Sequence, residues 1–370
     1  MLVIQYLPPT LSEFLILSSS WPSDGHAEPS LGFLFYTGLV SCKFQQYIEP
    51  SRRPKMKSHW IKKIAMLGVL FCLAINVKGA DYERTKDVIY GRKHGVALTM
   101  DVITPAKQNN RGVIFAVSGG WFSSHDNIDK VMDRGTFLEL LKRGYTVFAV
   151  VHGSQPKFTV PEIREDMHRA VRFIRHHAEL YKIDPANIGM FGGSAGGHLT
   201  LLQGTDGQDG DPSAESPVDR ESSAVQAIVS YFPPTDFLNY GKEGQHFDKL
   251  VRQVMFGRNP FLAALDFRKF DKEKQLIVKV EDQGEIKRLL KEVSPVTHVN
   301  KGDAPTLLIH GDADLLVPIQ QSKLILSKFK QEGVEAELLT MPGKNHGWKA
   351  ESEEIKRFGD WFDKHLLRGE

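Results

Sequence analysis

The chain reads as an α/β protein in which a mostly parallel central sheet is flanked by helices. Three observations predict this. From residue 81 onward, short β-rich apolar runs alternate with amphipathic stretches. Most of the runs are continuously apolar, as strands buried on both faces are. In the longest amphipathic stretch, Ile163, Met167, Val171, Ile174 and Ala178 recur at spacings of three and four, which gives one apolar face to lay on a sheet. At 370 residues, 41% apolar and 25% charged, the chain can bury a core of ordinary globular size.

The first 80 residues read separately. Residues 56–80 have a basic start (Lys57, Lys62, Lys63), an apolar run over 64–75 and a short close at Gly79-Ala80, the layout of a secretory signal peptide cut after Ala80. The run is shorter than the roughly 18–20 apolar residues a membrane span needs, so the mature form is expected to carry no stable span; a short transmembrane anchor or a buried helix is the alternative reading. Residues 1–55 show no sustained period, hold Pro8, Pro9, Pro22, Pro29 and Pro50, and lead into a basic stretch over 52–57. They are read as a non-native upstream extension, with the natural start at Met56. Cys42 and Cys72 are the only cysteines, so a product starting at Asp81 has no disulfide, thiol redox or cysteine–metal chemistry. Without residues 1–80 the chain has 39 basic against 41 acidic residues, and the electrostatic case for nucleic acid binding disappears. An exported protein, periplasmic or secreted, is the expectation.

Residues 81–370 read as one domain. Runs 87–90 and 97–103 alternate apolar and polar residues, as an antiparallel sheet edge does. Buried strands are predicted over 112–117, 145–151, 188–191, 225–231, 305–309 and 336–340, and helices over 132–142, 160–181, 195–202, 319–331 and 354–367. The polar, Gly- and Pro-containing stretch 205–223 reads as a surface loop. Residues 237–292 show no βα repeat and interrupt the sheet before its last two strands; they read as an inserted cap over the site, with a peripheral excursion as the alternative.

The chemistry begins at Gly192-Gly193-Ser194-Ala195-Gly196-Gly197, between the apolar run Ile-Gly-Met-Phe and an apolar helical stretch. A nucleophile on a tight strand-to-helix turn needs small neighbours, and Gly192 and Gly196 supply the room. The helix starting after Ser194 presents free amides, so the Ala195 N–H can stabilise an oxyanion. A phosphate-binding or merely connecting glycine turn is the alternative. An alcohol needs a base to take its proton. His346 follows the last strand in Pro-Gly-Lys-Asn-His-Gly-Trp, and Asp314 follows the preceding strand in His-Gly-Asp-Ala-Asp-Leu-Leu-Val-Pro. Asp314 lies farther out than Asp312, which is better placed to fix the turn. His310 and His198 read as packed, hydrogen-bonded residues. His168, His176 and His177 share one helix but lack the Glu of a zinc-protease motif, and no metal is assigned.

The stretches GGSAGGHL, HGDADLLVP and PGKNHGW together resemble the α/β-hydrolase superfamily of serine esterases, particularly its feruloyl-esterase-like, acetyl-esterase-like and hormone-sensitive-lipase-like branch, over about residues 81–367. The resemblance implies the α/β-hydrolase fold, the order Ser, acid, His, and no cofactor. It places a His-Gly-Gly-Gly-type loop at Val117-Ser118-Gly119-Gly120-Trp121, where Gly119 and Gly120 match the glycines that complete the oxyanion hole and the His is missing. The segment 152–158 replaces the branch's Tyr-Arg-Leu type and is a candidate substrate wall, with Trp121, Lys157 and Phe158 as contacts; a solvated loop is the alternative. Hydrolysis of a small-molecule or polysaccharide-linked carboxylic ester, acetyl or feruloyl, is the expected reaction. A prolyl-oligopeptidase-like peptidase and a non-catalytic binding protein are the competing readings; the first normally has an additional large domain that this length does not accommodate.

Overall fold

Side chains alternate along the inner strands, Val113 to one face and Ile114 to the other, and this alternation builds two apolar layers. The computed structural model describes residues 81–132, 135–247 and 260–367; the leader read over 1–80 lies outside the described residues. In chain order the elements are β1 (Tyr82–Lys93), β2 (Val96–Pro105), β3 (Gly112–Val117), α1 (His125–Met132), α2 (Gly135–Lys142), β4 (Thr146–Val151), α3 (Val160–His176), α4 (Ala178–Tyr181), β5 (Ile188–Gly193), α5 (Ala195–Thr205), β6 (Ala227–Tyr231), β7 (Arg268–Asp271), β8 (Leu276–Lys279), α6 (Gln283–Glu292), β9 (Thr306–Gly311), α7 (Gln320–Glu332), β10 (Ala336–Met341) and α8 (Ser352–Leu366).

Eight strands form one sheet in the order β1-β2-β4-β3-β5-β6-β9-β10. β1 and β2 make the antiparallel edge, β2 runs antiparallel to β4, and every other pairing is parallel. One layer sets Ile114, Met190, Ile228 and Leu308 of the sheet against α3 and α5; Ile163, Met167, Val171, Ile174 and Ala178 all fall in it. The other sets Val113, Phe191, Val229 and Ile309 against Phe137, Leu140 and Leu141 of α2 and Phe358, Trp361 and Phe362 of α8. Each fully buried side chain of this size stabilises the fold by roughly 1.5–3 kcal/mol.

The order of construction reverses between β3 and β5. β4 is laid on one side of β3, and the chain then crosses back to lay β5 on the other. In open α/β sheets the crevice beyond the carboxyl ends of such a strand pair is where ligands bind. The loop after β3 and the turn after β5 meet there.

The sequence expectation of a single helix over 160–181 is corrected to two, α3 and α4, with a turn at His177. The expected helix over 132–142 is α2 preceded by a separate α1. The inserted stretch carries the β7–β8 hairpin and α6; its Phe237, Tyr240 and Phe247 are buried, and the Phe261 ring would lie 2.4 Å from a Cβ placed on Gly120. The inserted chain thus touches the loop after β3.

Candidate active site

Ser194 stands between β5 and α5 with φ 56° and ψ −122°, a conformation that costs a non-glycine residue on the order of 1–3 kcal/mol. The turn holds because its neighbours are small. A Cβ on Gly192 would lie 2.5 Å from the Gly196 carbonyl, and one on Gly196 would lie 2.6 Å from the Ala116 carbonyl oxygen. The Ser194 N–H donates to the Tyr231 carbonyl at 2.9 Å, and the Ser194 carbonyl accepts from the His198 N–H at 2.9 Å.

His346 lies 152 residues downstream, yet its Nε2 is 2.9 Å from Ser194 Oγ, and its Nδ1 is 2.7 Å from Asp314 Oδ2. Asp314 accepts the Leu316 and Val317 amides on Oδ1, each at 2.9 Å. With Oδ2 facing His346, the Nδ1–H tautomer leaves Nε2 free to accept the serine proton. Burial pushes the Asp314 carboxyl up; hydrogen bonds from His310 and His346, the His346 charge and the Val317 amide outweigh it and hold the group well below the usual carboxylate range. Asn345 fastens the two loops together, its Oδ1 accepting the amides of Leu315 at 3.1 Å and His346 at 2.7 Å. Sequence reasoning assigned this residue nothing; its place directly before the histidine was the available signal.

Asp312 accepts the Gly343 amide on Oδ1 at 2.6 Å and so fixes the turn between the β9 and β10 loops. His310 is fully buried, with Nδ1 2.8 Å from Ser322 Oγ and Nε2 2.8 Å from the Val317 carbonyl. His168, His176 and His177 are engaged by different partners: their Nδ1 atoms meet Ser223, Glu221 and the Phe173 carbonyl in turn.

The loop after β3 is placed beside Ser194, with one change from expectation. The Gly119 N–H donates to the Phe122 carbonyl at 2.9 Å and the Phe122 N–H returns to Gly119 at 3.0 Å, so the Gly119 amide is already engaged. The amides of Gly120, Trp121 and Ala195 have no acceptor among the described residues. The expected pair of glycine donors therefore reduces to Gly120, because a donor committed to a tight bridge is not available to an oxyanion.

Two of the three expected substrate contacts are corrected. Trp121 is 2% exposed: its indole N–H donates to His198 Nδ1 at 3.2 Å and its ring packs on Phe237 and Phe247. Phe158 is 4% exposed and sits in the core with the Lys93 ammonium 4.2 Å from its ring centre. Large aromatic side chains beside a nucleophile look like walls in a sequence, but burial leaves them no face to offer a substrate. Lys157 is exposed, 5.4 Å from the Phe158 ring.

The missing His of the loop motif has replacements that sequence reasoning did not find. Ser123 Oγ donates to the Val117 carbonyl, the Ser123 N–H donates to Ser154 Oγ at 2.8 Å, and Ser154 Oγ donates back to the Ser123 carbonyl at 2.9 Å. Gln155 adds its N–H to the Trp121 carbonyl and its side-chain amide to the Gly120 carbonyl. From below, His198 holds Trp121 and donates its Nε2–H to the Val293 carbonyl at 2.7 Å. Burial lowers the His198 pKa to about 4, which keeps the ring neutral and able to accept the indole proton.

The BD-FAE family profile matches residues 100–329. "Probable carboxylic ester hydrolase LipM" of Mycobacterium tuberculosis is 26% identical over 68% of this chain and 53% of its own length. The chain spans about half the length of such curated relatives. Among solved structures, a carbohydrate esterase from gut microbiota in truncated form is similar with a TM-score of 0.59, at 23% identity, over 78% of this chain and 98% of that one. An acetyl ester-xyloside bifunctional hydrolase from Caldicellulosiruptor lactoaceticus is similar with a TM-score of 0.57, at 24% identity, over 76% and 96%. Those likenesses show the fold, a mostly parallel sheet with flanking helices. The chain belongs to the BD-FAE family, a family of α/β-hydrolase serine esterases.

Proposed function

We propose that the protein hydrolyses carboxylic esters through an acyl-enzyme on Ser194. The observation that carries this is the unbroken chain from Ser194 Oγ through His346 to Asp314, with links of 2.9 and 2.7 Å. Ser194 Oγ attacks the ester carbonyl while His346 Nε2 takes its proton. The oxyanion is met by the amides of Gly120 and Ala195, the latter at the positive end of α5. His346 then protonates the leaving alcohol, and water, activated by the same imidazole, releases the acid. Asp314 stays ionised throughout and stabilises the imidazolium.

The finer reading is that the ester is an acetyl or feruloyl group on polysaccharide and that the enzyme meets it outside the cytoplasm. The resemblance to carbohydrate esterases supports the first part, and the signal-peptide layout of residues 56–80 supports the second.

Hydrolysis of 4-nitrophenyl acetate, butyrate and octanoate, beside a proline-linked peptide amide, tests the reaction. Ester turnover is expected, lost by about 10^6-fold in Ser194→Ala. Amide cleavage without ester cleavage would replace the esterase with a peptidase, and turnover that survives the substitution would remove Ser194 from the chemistry.

A further inference from the structure

Between Gly119 and Phe122 the chain reverses through a left-handed turn. The Phe122 N–H donates to the Gly119 carbonyl at 3.0 Å across two linking residues, and both of these, Gly120 and Trp121, have positive φ, 56° and 62°. This is the type I′ pattern, in effect one turn of left-handed helix. Glycine enters that region freely. A bulky residue such as Trp121 stays there only when its surroundings hold it.

Gln155 holds it. In a helical turn the carbonyls point toward one end and the amides toward the other. The carbonyls of Gly120 and Trp121 are both bonded by this one residue, the first by its side-chain amide and the second by its backbone N–H at 3.2 Å. Gln155 is 2% exposed, and its Oε1 is buried without a hydrogen-bond partner among the described residues. An apolar residue here would avoid the penalty of that unsatisfied oxygen, so the NH2 is what the position requires. Turned over, the side-chain amide would set oxygen against oxygen at Gly120. Because the Gly120–Trp121 peptide is trans, fixing its carbonyl also fixes its N–H in the opposite direction.

The amide end of the turn is open. Neither the Gly120 nor the Trp121 N–H has an acceptor among the described residues, although Trp121 is 2% exposed and buried amides are nearly always paired. The turn is tied to the helix of the nucleophile: the Trp121 indole donates to His198 at 3.2 Å, and the His198 amide donates to the Ser194 carbonyl at 2.9 Å.

We propose that the Trp121 amide is a third donor to the oxyanion, beside those of Gly120 and Ala195, and that Gln155 is the positioning residue that aims it. The loop supplies its second donor one residue later than the glycine pair implies, because the Gly119 amide closes the turn. An oxyanion on the Ser194 adduct gives the Trp121 N–H the acceptor it lacks. The ground-state carbonyl, with less charge on its oxygen, gains less from the same donor. The proposal rests on the reading of Ser194 as an ester-cleaving nucleophile.

The test uses the full chain and 1,1,1-trifluoroacetone. Ser194 Oγ adds to the ketone carbon, the π electrons pass to oxygen, His346 takes the serine proton and no group leaves, so the oxyanion persists. With carbonyl-13C glycine and 15N tryptophan, Trp121 and Trp348 are the tryptophans that follow a labelled glycine, and Trp348→Phe tells them apart. The Trp121 amide proton is expected to move downfield when the adduct forms. Gln155→Met keeps the side-chain length and removes the donor; kcat for 4-nitrophenyl acetate is expected to fall roughly 10- to 100-fold with KM little changed. Affinity for the ketone is expected to fall in parallel, while that for the product acetate holds. A stationary Trp121 amide in the adduct overturns the proposal, as does a loss in Gln155→Met that appears in KM or leaves ketone affinity intact. The amide shift is read on the unsubstituted Gln155 chain, so it carries the test if Gln155→Met fails to fold. Absence of both ester turnover and ketone adduct defeats the esterase reading and this proposal with it, whereas turnover with a stationary Trp121 amide defeats this proposal alone.

Discussion

Two aspartates two residues apart have different partners, and the difference sets what each substitution does. Asp314 accepts two backbone amides on one oxygen and faces His346 with the other. In Asp314→Asn the carboxamide oxygen can keep both amides, which turns the NH2 toward His346 Nδ1. The ring must then carry its proton on Nε2 and cannot accept the serine proton. kcat is expected to fall by about 10^4-fold with little change in melting temperature, a loss read by steady-state kinetics beside thermal unfolding. Asp312→Asn retains an acceptor for Gly343 and is expected to stay within a fewfold of the parent enzyme in the same assay. The sequence could separate these aspartates because their distance from the strand end differs. It could not separate Trp121 and Phe158 from substrate-facing aromatics: the residues that bury them, His198, Phe237 and Phe247 for one and Lys93 for the other, are far away along the chain.

At the scale of elements, the strand–turn–helix from β5 to α5 is the unit on which the chemistry depends, and its spacing is set by backbone meeting backbone. A methyl on Gly192 would meet the Gly196 peptide, which has no side-chain freedom with which to yield. Gly192→Ala is expected to cost about 1–3 kcal/mol in urea unfolding and to reduce ester hydrolysis much further than that loss of stability accounts for. If activity falls only in proportion to the folded fraction, the tight packing of this turn is not what aims Ser194. This unit was legible because glycines clustered at a strand-to-helix junction mark a place where two backbones must meet closely. Two other elements were not. The β7–β8 hairpin is mostly exposed on both faces, so its residues show no alternation toward a core. In α1 the buried residues are Ile128 and Met132, set among polar neighbours, which is too few for a period to stand out. The clamp of Ser123, Ser154 and Gln155 on the loop after β3 joins segments about 30 residues apart, and local patterning gives no sign of such contacts.

For the whole molecule, buried imidazoles shape the response to acid. Burial lowers the pKa of both His152 and His198 to about 4, against 6.5 for an exposed ring. The unfolded chain therefore takes up these two protons near pH 6.5 and the folded protein only near pH 4. Their contribution to stability is complete above pH 6.5 and is lost as the pH falls from there to about 4, by about 3 kcal/mol for each ring. Asp303 works in the opposite sense: burial raises its pKa to about 6, so protonation near that pH favours the folded state. Its partial exposure makes this a smaller offset. Against the 5–15 kcal/mol typical of a folded domain, the net loss is a substantial share. Urea titrations at pH 7, 6, 5 and 4 are expected to show a steady decline, shallower in His198→Gln even though that variant starts lower at pH 7. Parallel slopes for the two proteins would mean that His198 binds its proton equally well folded and unfolded.

The backbone angles of Ser194 also bear on inheritance. Glycine is the one residue that would sit there without strain, so descendants released from the need to cut esters have a single-residue route to a sturdier, inert protein. A relative with glycine at this position and the surrounding turn intact would be the signature of a lineage that kept the scaffold for another use.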